Sequence, residues 1–256
     1  MFTNNFDPVA FTLFALEIRW YSLAYIFGIL FGWFYCKKFL IRDKIISSLF
    51  DDLVTYLIIG IIVGGRLGYV LFYNIKYYLN NVIEILFIWE GGMSFHGGLI
   101  GIFFATYLFS RKHKINKYIF LDLISVSAPI GIFLGRIANF INGELIGKAT
   151  NGSWGVIFPK IDSIPRHPSQ LYESFLEGII LFIILNIIFF KKEYKTGTVS
   201  FGFLIFYGIF RFISEFFREP DIQIGYIIGS LSMGMALSLL MIFFGIILYK
   251  INGTKT

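Results

Sequence analysis

The chain has 256 residues, 57% of them hydrophobic and only 15% charged. A soluble domain would be nearer half apolar and a quarter charged, so the composition excludes that class and indicates a polytopic membrane protein, read as one domain over 1–256. The net charge of +6 does not argue for a nucleic-acid partner, because the basic residues stand in short clusters between apolar runs, the pattern of cytoplasmic loops.

A membrane helix needs about 20 apolar residues. Seven such spans are predicted, at 19–36, 52–73, 95–110, 119–141, 171–190, 199–217 and 226–249, the third being short. Residues 1–16 hold no lysine or arginine and no small-residue cleavage site, so no secretory signal peptide is expected. The positive charges alternate along the chain. Lys37, Lys38, Arg42 and Lys44 follow the first span; Arg111, Lys112, Lys114 and Lys117 follow the third. Lys191, Lys192 and Lys195 follow the fifth, and Lys250 and Lys255 follow the seventh. Arg19, Lys76, Lys148, Lys160, Arg166 and Arg218 fall on the other side, and Arg66, Arg136 and Arg211 within spans. The richer side belongs in the cytoplasm, which puts the N-terminus outside and the C-terminus inside. The expected fold is thus all-α, with about seven transmembrane helices and a small outer loop or cap at 147–168, after helix four.

Glycines recur at spacing four: Gly28/Gly32, Gly60/Gly64/Gly68, Gly97/Gly101, Gly131/Gly135 and Gly225/Gly229. Small residues one turn apart let helices approach closely in lipid, so these are read as packing positions. Cys36, the only cysteine, excludes an intrachain disulfide and any multi-cysteine metal site. It is expected to be inert, beside Lys37 and Lys38 at the cytoplasmic edge.

The polar residues in the spans share one end. Trp20 and Tyr21 open the first span, and Arg66 lies about two turns short of the outer exit of the second. Ser94 and His96, in "GGMSFHGGLIG", open the third. The fourth exits at "GRIANFINGELIG", the fifth enters at "RHPSQLYESFLEG", and the sixth exits at "YGIFRFISEFFREPD". Six spans therefore bring polar residues to the non-cytoplasmic half, where ionisable groups are expensive and rarely face lipid.

Arg136, Asn139 and Gly143 share a helix face by their spacing. Arg211, Glu215 and Arg218 also follow helical spacing, with a formal sum of +1. A structural salt bridge accounts for Arg211–Glu215 as well as function does. Arginines from several helices, Arg66 included, would suit an anion, because the guanidinium is the preferred bidentate donor to phosphate. His96 is a candidate acid–base group, against a structural histidine. His167 is read as capping or positioning the fifth helix, with Pro168 and Ser169 at its start. Ser94 lacks an identifiable carboxylate partner for a hydrolase triad.

"GGMSFHGGLIG", "GRIANFINGELIG", "RHPSQLYE" and "RFISEFFREPD" together resemble the bacterial phosphatidylglycerol–prolipoprotein diacylglyceryl transferase family. The resemblance covers nearly the whole chain, from "FDPVAF" and "RWYSLAY" to the last span. Two departures stand out: the loop after Gly147 is shorter than in some members, and Ile146 replaces a common tryptophan. The resemblance implies transfer of the diacylglyceryl group of phosphatidylglycerol to the lipobox cysteine thiol of a prolipoprotein signal peptide, with release of glycerol phosphate. It implies no cofactor or metal, and a bacterial inner-membrane location with the active half facing the periplasm. The family's important positions fall on Tyr21, His96, Arg136, Asn139, Glu144, Gly147, Arg211, Glu215 and Arg218. Of these, His96, Arg136 and Arg211 are expected to be catalytic and the rest to bind substrate. The nucleophile belongs to the substrate. Its base would be His96, with Glu144 or a tyrosine as alternatives. Two rival classes remain by sequence. A transporter should bring its polar residues to the bilayer midplane, and a lipid-binding structural protein would not need His96 beside arginines.

Overall fold

The structure, a computed structural model, describes residues 1–256 except Ala15, Glu193, 221–224 and 254–256, with the main chain alone at Glu90 and Phe95. Asp221 and Lys255 therefore lie outside the described residues. The chain begins with strand β1 (Phe2–Thr3) and a hairpin, β2 (Val9–Leu13) against β3 (Leu16–Arg19). β3 runs directly into α1 (Trp20–Tyr35), which tightens its ending into a π-helical turn at Cys36–Leu40.

Asp43 starts α2 (Lys44–Phe72) by accepting the Ile45 and Ile46 amides at 2.7 and 3.0 Å, two of the donors a helix start leaves open. A short α3 (Ile75–Asn80) and two 3-10 turns, Val82–Leu86 and Ile88–Glu90, lead to α4 (Phe95–His113). Then come α5 (Lys117–Asn142), strand β4 (Val156–Ile157) and α6 (Ser169–Glu173). α6 continues through a π-helical segment, Ser174–Ile180, into α7 (Leu181–Phe189). α8 (Thr198–Ser214), the hairpin β5 (Tyr226–Ile228) with β6 (Leu231–Ser232), and α9 (Met233–Gly253) complete the chain.

The body is helical, and the strands are short pairs at helix ends. Among the described residues, five helical stretches are long and apolar enough to cross a membrane: Trp20–Leu40, Lys44–Phe72, Lys117–Asn142, Ser169–Phe189 and Met233–Asn252. α8 is apolar but shorter. α4 has the length, but its last turn carries Arg111, Lys112 and His113. The span expected at 226–249 starts later, at Met233. Residues 226–232 are a hairpin turning at Gly229, whose φ of +57° is a left-handed value that suits glycine and breaks a helix.

The chain falls into two compact units: Met1–Cys36 with Asp122–Thr256, and Lys37–Leu121. In the second unit α2 lies along α4 through the predicted glycines. A Cβ on Gly60 would stand 2.9 Å from the Ala105 Cβ, and one on Gly68 2.7 Å from the Gly97 Cα. In the first unit a Cβ on Gly28 would meet the Gly131 Cα at 2.9 Å. These pairs are packing positions. Gly135, Gly225 and Gly229 are not: nothing lies within 4 Å of their added Cβ, and Gly225 and Gly229, with positive φ, serve turns.

After α5 the chain turns at Gly143 (φ +73°) and Leu145 (φ +55°) and forms a main-chain ladder. Lys148 N donates to Phe217 O at 2.8 Å and Glu219 N to Ile146 O at 3.1 Å. His167 N donates to Lys148 O at 2.9 Å, and Val156 and Arg166 exchange bonds of 2.9 Å. β1 adds to β4 in parallel, and Phe140, Val156 and Phe158 form the small core beneath. Arg166 ties this segment together through Asp162 at 2.5 Å, Gly147 O at 3.2 Å and Glu219 at 3.3 Å.

Candidate active site

Two glutamates one helical turn apart, Glu173 and Glu177, lie fully buried where α6 passes into the π-helical segment. Isolated carboxylates there would be very costly, so each needs a cationic partner. Three arginines supply it. Arg136, from the end of α5, lies 2.9 Å from Glu173 and 3.2 Å from Glu177. Arg211, from α8, lies 2.9 Å from Glu173 and 3.7 Å from Glu177, and also pairs with Glu215 one turn on. Arg218 approaches Glu173 at 3.9 Å and Glu215 at 4.0 Å.

Three guanidinium groups thus face three carboxylates, a formal sum of zero. The excess of +1 expected from Arg211, Glu215 and Arg218 does not survive, because Glu173 and Glu177 join the cluster. Both lie inside "RHPSQLYESFLEG", where the sequence alone assigns them no role. Two acids at spacing four in an apolar span were the signal. Their partners lie 34 or more residues away, on or just beyond other helices, so their meaning appears only in the fold.

Ser232 Oγ donates to Glu215 at 2.6 Å and accepts the Met235 amide at 3.1 Å. A Cβ on Gly234 would sit 2.5 Å from the Glu215 carboxyl carbon, so only glycine lets that carboxylate lie there. Gly147 pairs with Arg218 across an antiparallel bridge. An added Cβ would come within 2.8 Å of Phe217 O, which makes Gly147 a close-approach position holding the main chain beside Arg218.

A second polar group stands at the end of α5. Asn139 and Asn142 donate to the Glu144 carboxylate at 3.3 and 3.0 Å. Buried Gln170 donates to Glu144 O at 2.6 Å, tying this turn to α6. Glu144 is exposed, so its carboxylate faces outward from a fixed position. Tyr21 and Tyr25, one turn apart on α1, bring their hydroxyls within 3.3 Å of each other.

His167 does not cap α6: no side chain accepts from its first amides. The imidazole instead approaches Tyr172 OH at 3.3 Å and packs on Phe217, leaving the positioning part of the expectation. Cys36 is fully buried and bonds Leu123 O at 3.4 Å. Among the described residues, no group of three or more His, Cys, Asp or Glu is placed to hold a metal ion.

In the second unit His96 occupies the first turn of α4, with Ser94 Oγ capping Gly97 N at 3.2 Å. Arg66 departs from the reading that grouped it with the anion-facing arginines. It is buried, and its guanidinium donates to main-chain carbonyls of Glu84, Ile85 and Gly91 at 2.6, 2.9 and 2.5 Å. A planar fork filled by carbonyls organises a loop.

The model of the family described as prolipoprotein diacylglyceryl transferase matches residues 8–251. The chain belongs to this family. It is 54% identical to the phosphatidylglycerol–prolipoprotein diacylglyceryl transferase of Rickettsia felis, over 94% of this chain and 95% of the relative. The proteins of that name from Rickettsia bellii and Rickettsia canadensis are 54% and 52% identical, over 95% and 96% of this chain and 94% and 96% of theirs. As a diacylglyceryl transferase family member, the chain is a transferase carried on apolar, membrane-length helices. Of the family positions, the first unit gathers Arg136, Arg211, Glu215 and Arg218 into one cluster, with Gly147 bridged to Arg218 and Asn139 bonded to Glu144.

Proposed function

We propose that the protein transfers the diacylglyceryl group of phosphatidylglycerol to the lipobox cysteine of a prolipoprotein, from a site facing the non-cytoplasmic side of the bacterial inner membrane. Family membership supports the reaction. The observation that carries the site is the buried cluster of Arg136, Arg211 and Arg218 on Glu173, Glu177 and Glu215, which holds guanidinium groups rigid inside a membrane protein.

The substrate thiol loses its proton to His96, and the thiolate attacks the glycerol carbon that bears the phosphate. A C–S bond forms, the C–O bond to phosphate breaks, and its electron pair leaves on the phosphate oxygen as glycerol phosphate. A free thiol has a pKa near ~8.5 and reacts as thiolate, so a base with a reference pKa near ~6.5 is well matched. Arg136 and Arg211 meet the charge that develops on the phosphate. Each guanidinium carries five N–H donors, and the carboxylates occupy only part of them. One such donor set contributes about 2.7–4 kcal/mol if comparable to an oxyanion-hole group. Arg218 and Glu215 extend the cluster. Glu144, steadied by Asn139, holds the glycerol hydroxyls of the headgroup, and Tyr21 and Gly147 shape the lipid site. The charge distribution supports seven spans with the N-terminus outside and the C-terminus in the cytoplasm.

The test is transfer of labelled diacylglyceryl from phosphatidylglycerol vesicles to a lipobox peptide by the purified protein. A thioether-linked product that is lost in Arg136→Lys, with thermal stability retained, is the expected result. Lysine keeps the charge but lacks the fork. Movement of phosphatidylglycerol between leaflets with no peptide product would favour a transporter, and full transfer by Arg136→Lys would return Arg136 to structure.

A further inference from the structure

Arg66 is an arginine with no place in the cluster, yet it is almost completely buried, at 3% exposure. It sits two turns from the end of α2, and its guanidinium spans two separate stretches of chain. Nη2 reaches Glu84 O at 2.6 Å and Nε reaches Ile85 O at 2.9 Å. Nη1 reaches Gly91 O at 2.5 Å and Gly92 O at 3.4 Å. The Tyr78 ring lies against the group, 5.1 Å from centroid to the guanidinium carbon.

Gly91 and Gly92 both have left-handed φ, +85° and +75°. A Cβ on Gly92 would stand 2.6 Å from the Tyr69 ring and 3.0 Å from Arg66 Nη1, so the turn and the guanidinium are fitted to each other. Two residues on, Ser94 N donates to Gly65 O at 2.9 Å, beside Arg66 on α2. Ser94 then caps α4 through Gly97 N. His96 lies between these two fixed points. The chain entering α4 is thus held to α2 by adjacent residues, Gly65 and Arg66, just before the imidazole.

We propose that Arg66 is a positioning residue for His96: by fixing the Gly91–Gly92 turn it sets where α4 begins, and with it the place of the imidazole that receives the substrate thiol's proton. This rests on the reading of His96 given above. The chemistry calls for an arginine. A single planar group must satisfy carbonyls in two directions, and a lysine ammonium cannot span them. Displacing a reacting group by about 1 Å can cost on the order of 100-fold in rate.

The experiment compares wild type, Arg66→Lys, Gly92→Ala and His96→Gln, each purified and assayed in phosphatidylglycerol vesicles with a lipobox peptide. Thermal unfolding is recorded for each. Histidine-labelled protein gives the imidazole resonances, with that of His96 assigned by its loss in His96→Gln. The expected result for Arg66→Lys is a kcat lower by about 10- to 100-fold, from the misplacement argument, with KM for phosphatidylglycerol little changed and the His96 resonance shifted. Gly92→Ala, which disturbs the same turn from the other side, should show the same split if Arg66→Lys does not fold. Wild-type kcat and an unmoved His96 resonance in a folded variant would overturn the proposal. So would failure of both variants to fold, since the turn would then serve the fold alone. Full transfer by His96→Gln would instead remove the reading of His96 on which the proposal rests.

Discussion

Glu177 shows how closely the cluster is balanced. Its carboxylate is fully buried, one turn from Glu173, and both touch Arg136 and Arg211. Glu177→Gln keeps the shape and removes one charge, leaving two carboxylates for three guanidinium groups. Breaking a buried pair in this way is expected to destabilise by about 3–5 kcal/mol, measured as a fall in the thermal or denaturant midpoint of the purified protein. A loss below ~1 kcal/mol, the range of exposed pairs, would mean that the site is wetter than its burial implies. Cys36 gives the opposite expectation. Its sulfur is buried against Leu123 O, and the reaction uses the substrate's thiol. Cys36→Ser, with a hydroxyl that can donate to the same carbonyl, should keep most transfer activity in the vesicle assay. Loss of transfer in a folded Cys36→Ser protein would sink the substrate-thiol mechanism. The arginines of the cluster were legible in the sequence because charge in an apolar run stands out. Their partners Glu173 and Glu177 were less so, since a pair of acids becomes an anchor only when α5 and α8 lie beside it. Arg66 was legible as unusual but not as a loop clamp, because its acceptors are carbonyls, which every residue has.

At the level of elements, apolar run length located the helices, and glycine spacing identified the contact faces of α2 with α4 and of α1 with α5. The short strands were not legible. Pairs such as Phe2–Val156 join residues far apart in sequence, and runs of two to five residues carry too little periodicity to read. The segment after α5 depends on the same kind of pairing, and Arg166 fastens it. Its guanidinium holds the half-buried Asp162 carboxyl below its ordinary range, chiefly by hydrogen bonding. A carboxylate with a depressed native pKa contributes stability above its unfolded pKa of about ~3.9 and loses it as pH falls through the native value. Acidification into that window should therefore loosen this segment in the wild type. Protease cleavage between 148 and 165 should rise there, and Asp162→Asn should be cleaved more readily at neutral pH. Equal cleavage of the two proteins at neutral pH would show that the ladder holds without the ion pair.

For the whole molecule, the basic residues predict sidedness. Reporter fusions after Lys44, Lys117 and Lys195 should be cytoplasmic, and fusions near Lys76 and Lys160 should be outside. A cytoplasmic reporter at Lys160 would reverse the placement of the active half. Membrane-length helices were readable from composition. The later start of α9 was not, because Tyr226–Ile228 is apolar enough to pass for helix and only the glycine turn beside it ends the run. The passage of α6 through a π-helical segment before α7 carries a further implication. Glu173 closes the regular helix and Glu177 lies inside the widened turns, so the extra residue helps set the angle between their carboxylates. Removing one residue between Glu173 and Glu177 would let the rod close into ordinary α-helix with the stretch beyond nearly in phase, but would leave the two acids three residues apart instead of four. Hydrophobicity and span length would hardly change, yet the two acids could no longer face the same arginines. Length polymorphism should therefore be tolerated far less between the two acids than in the apolar stretch of α7 that follows them.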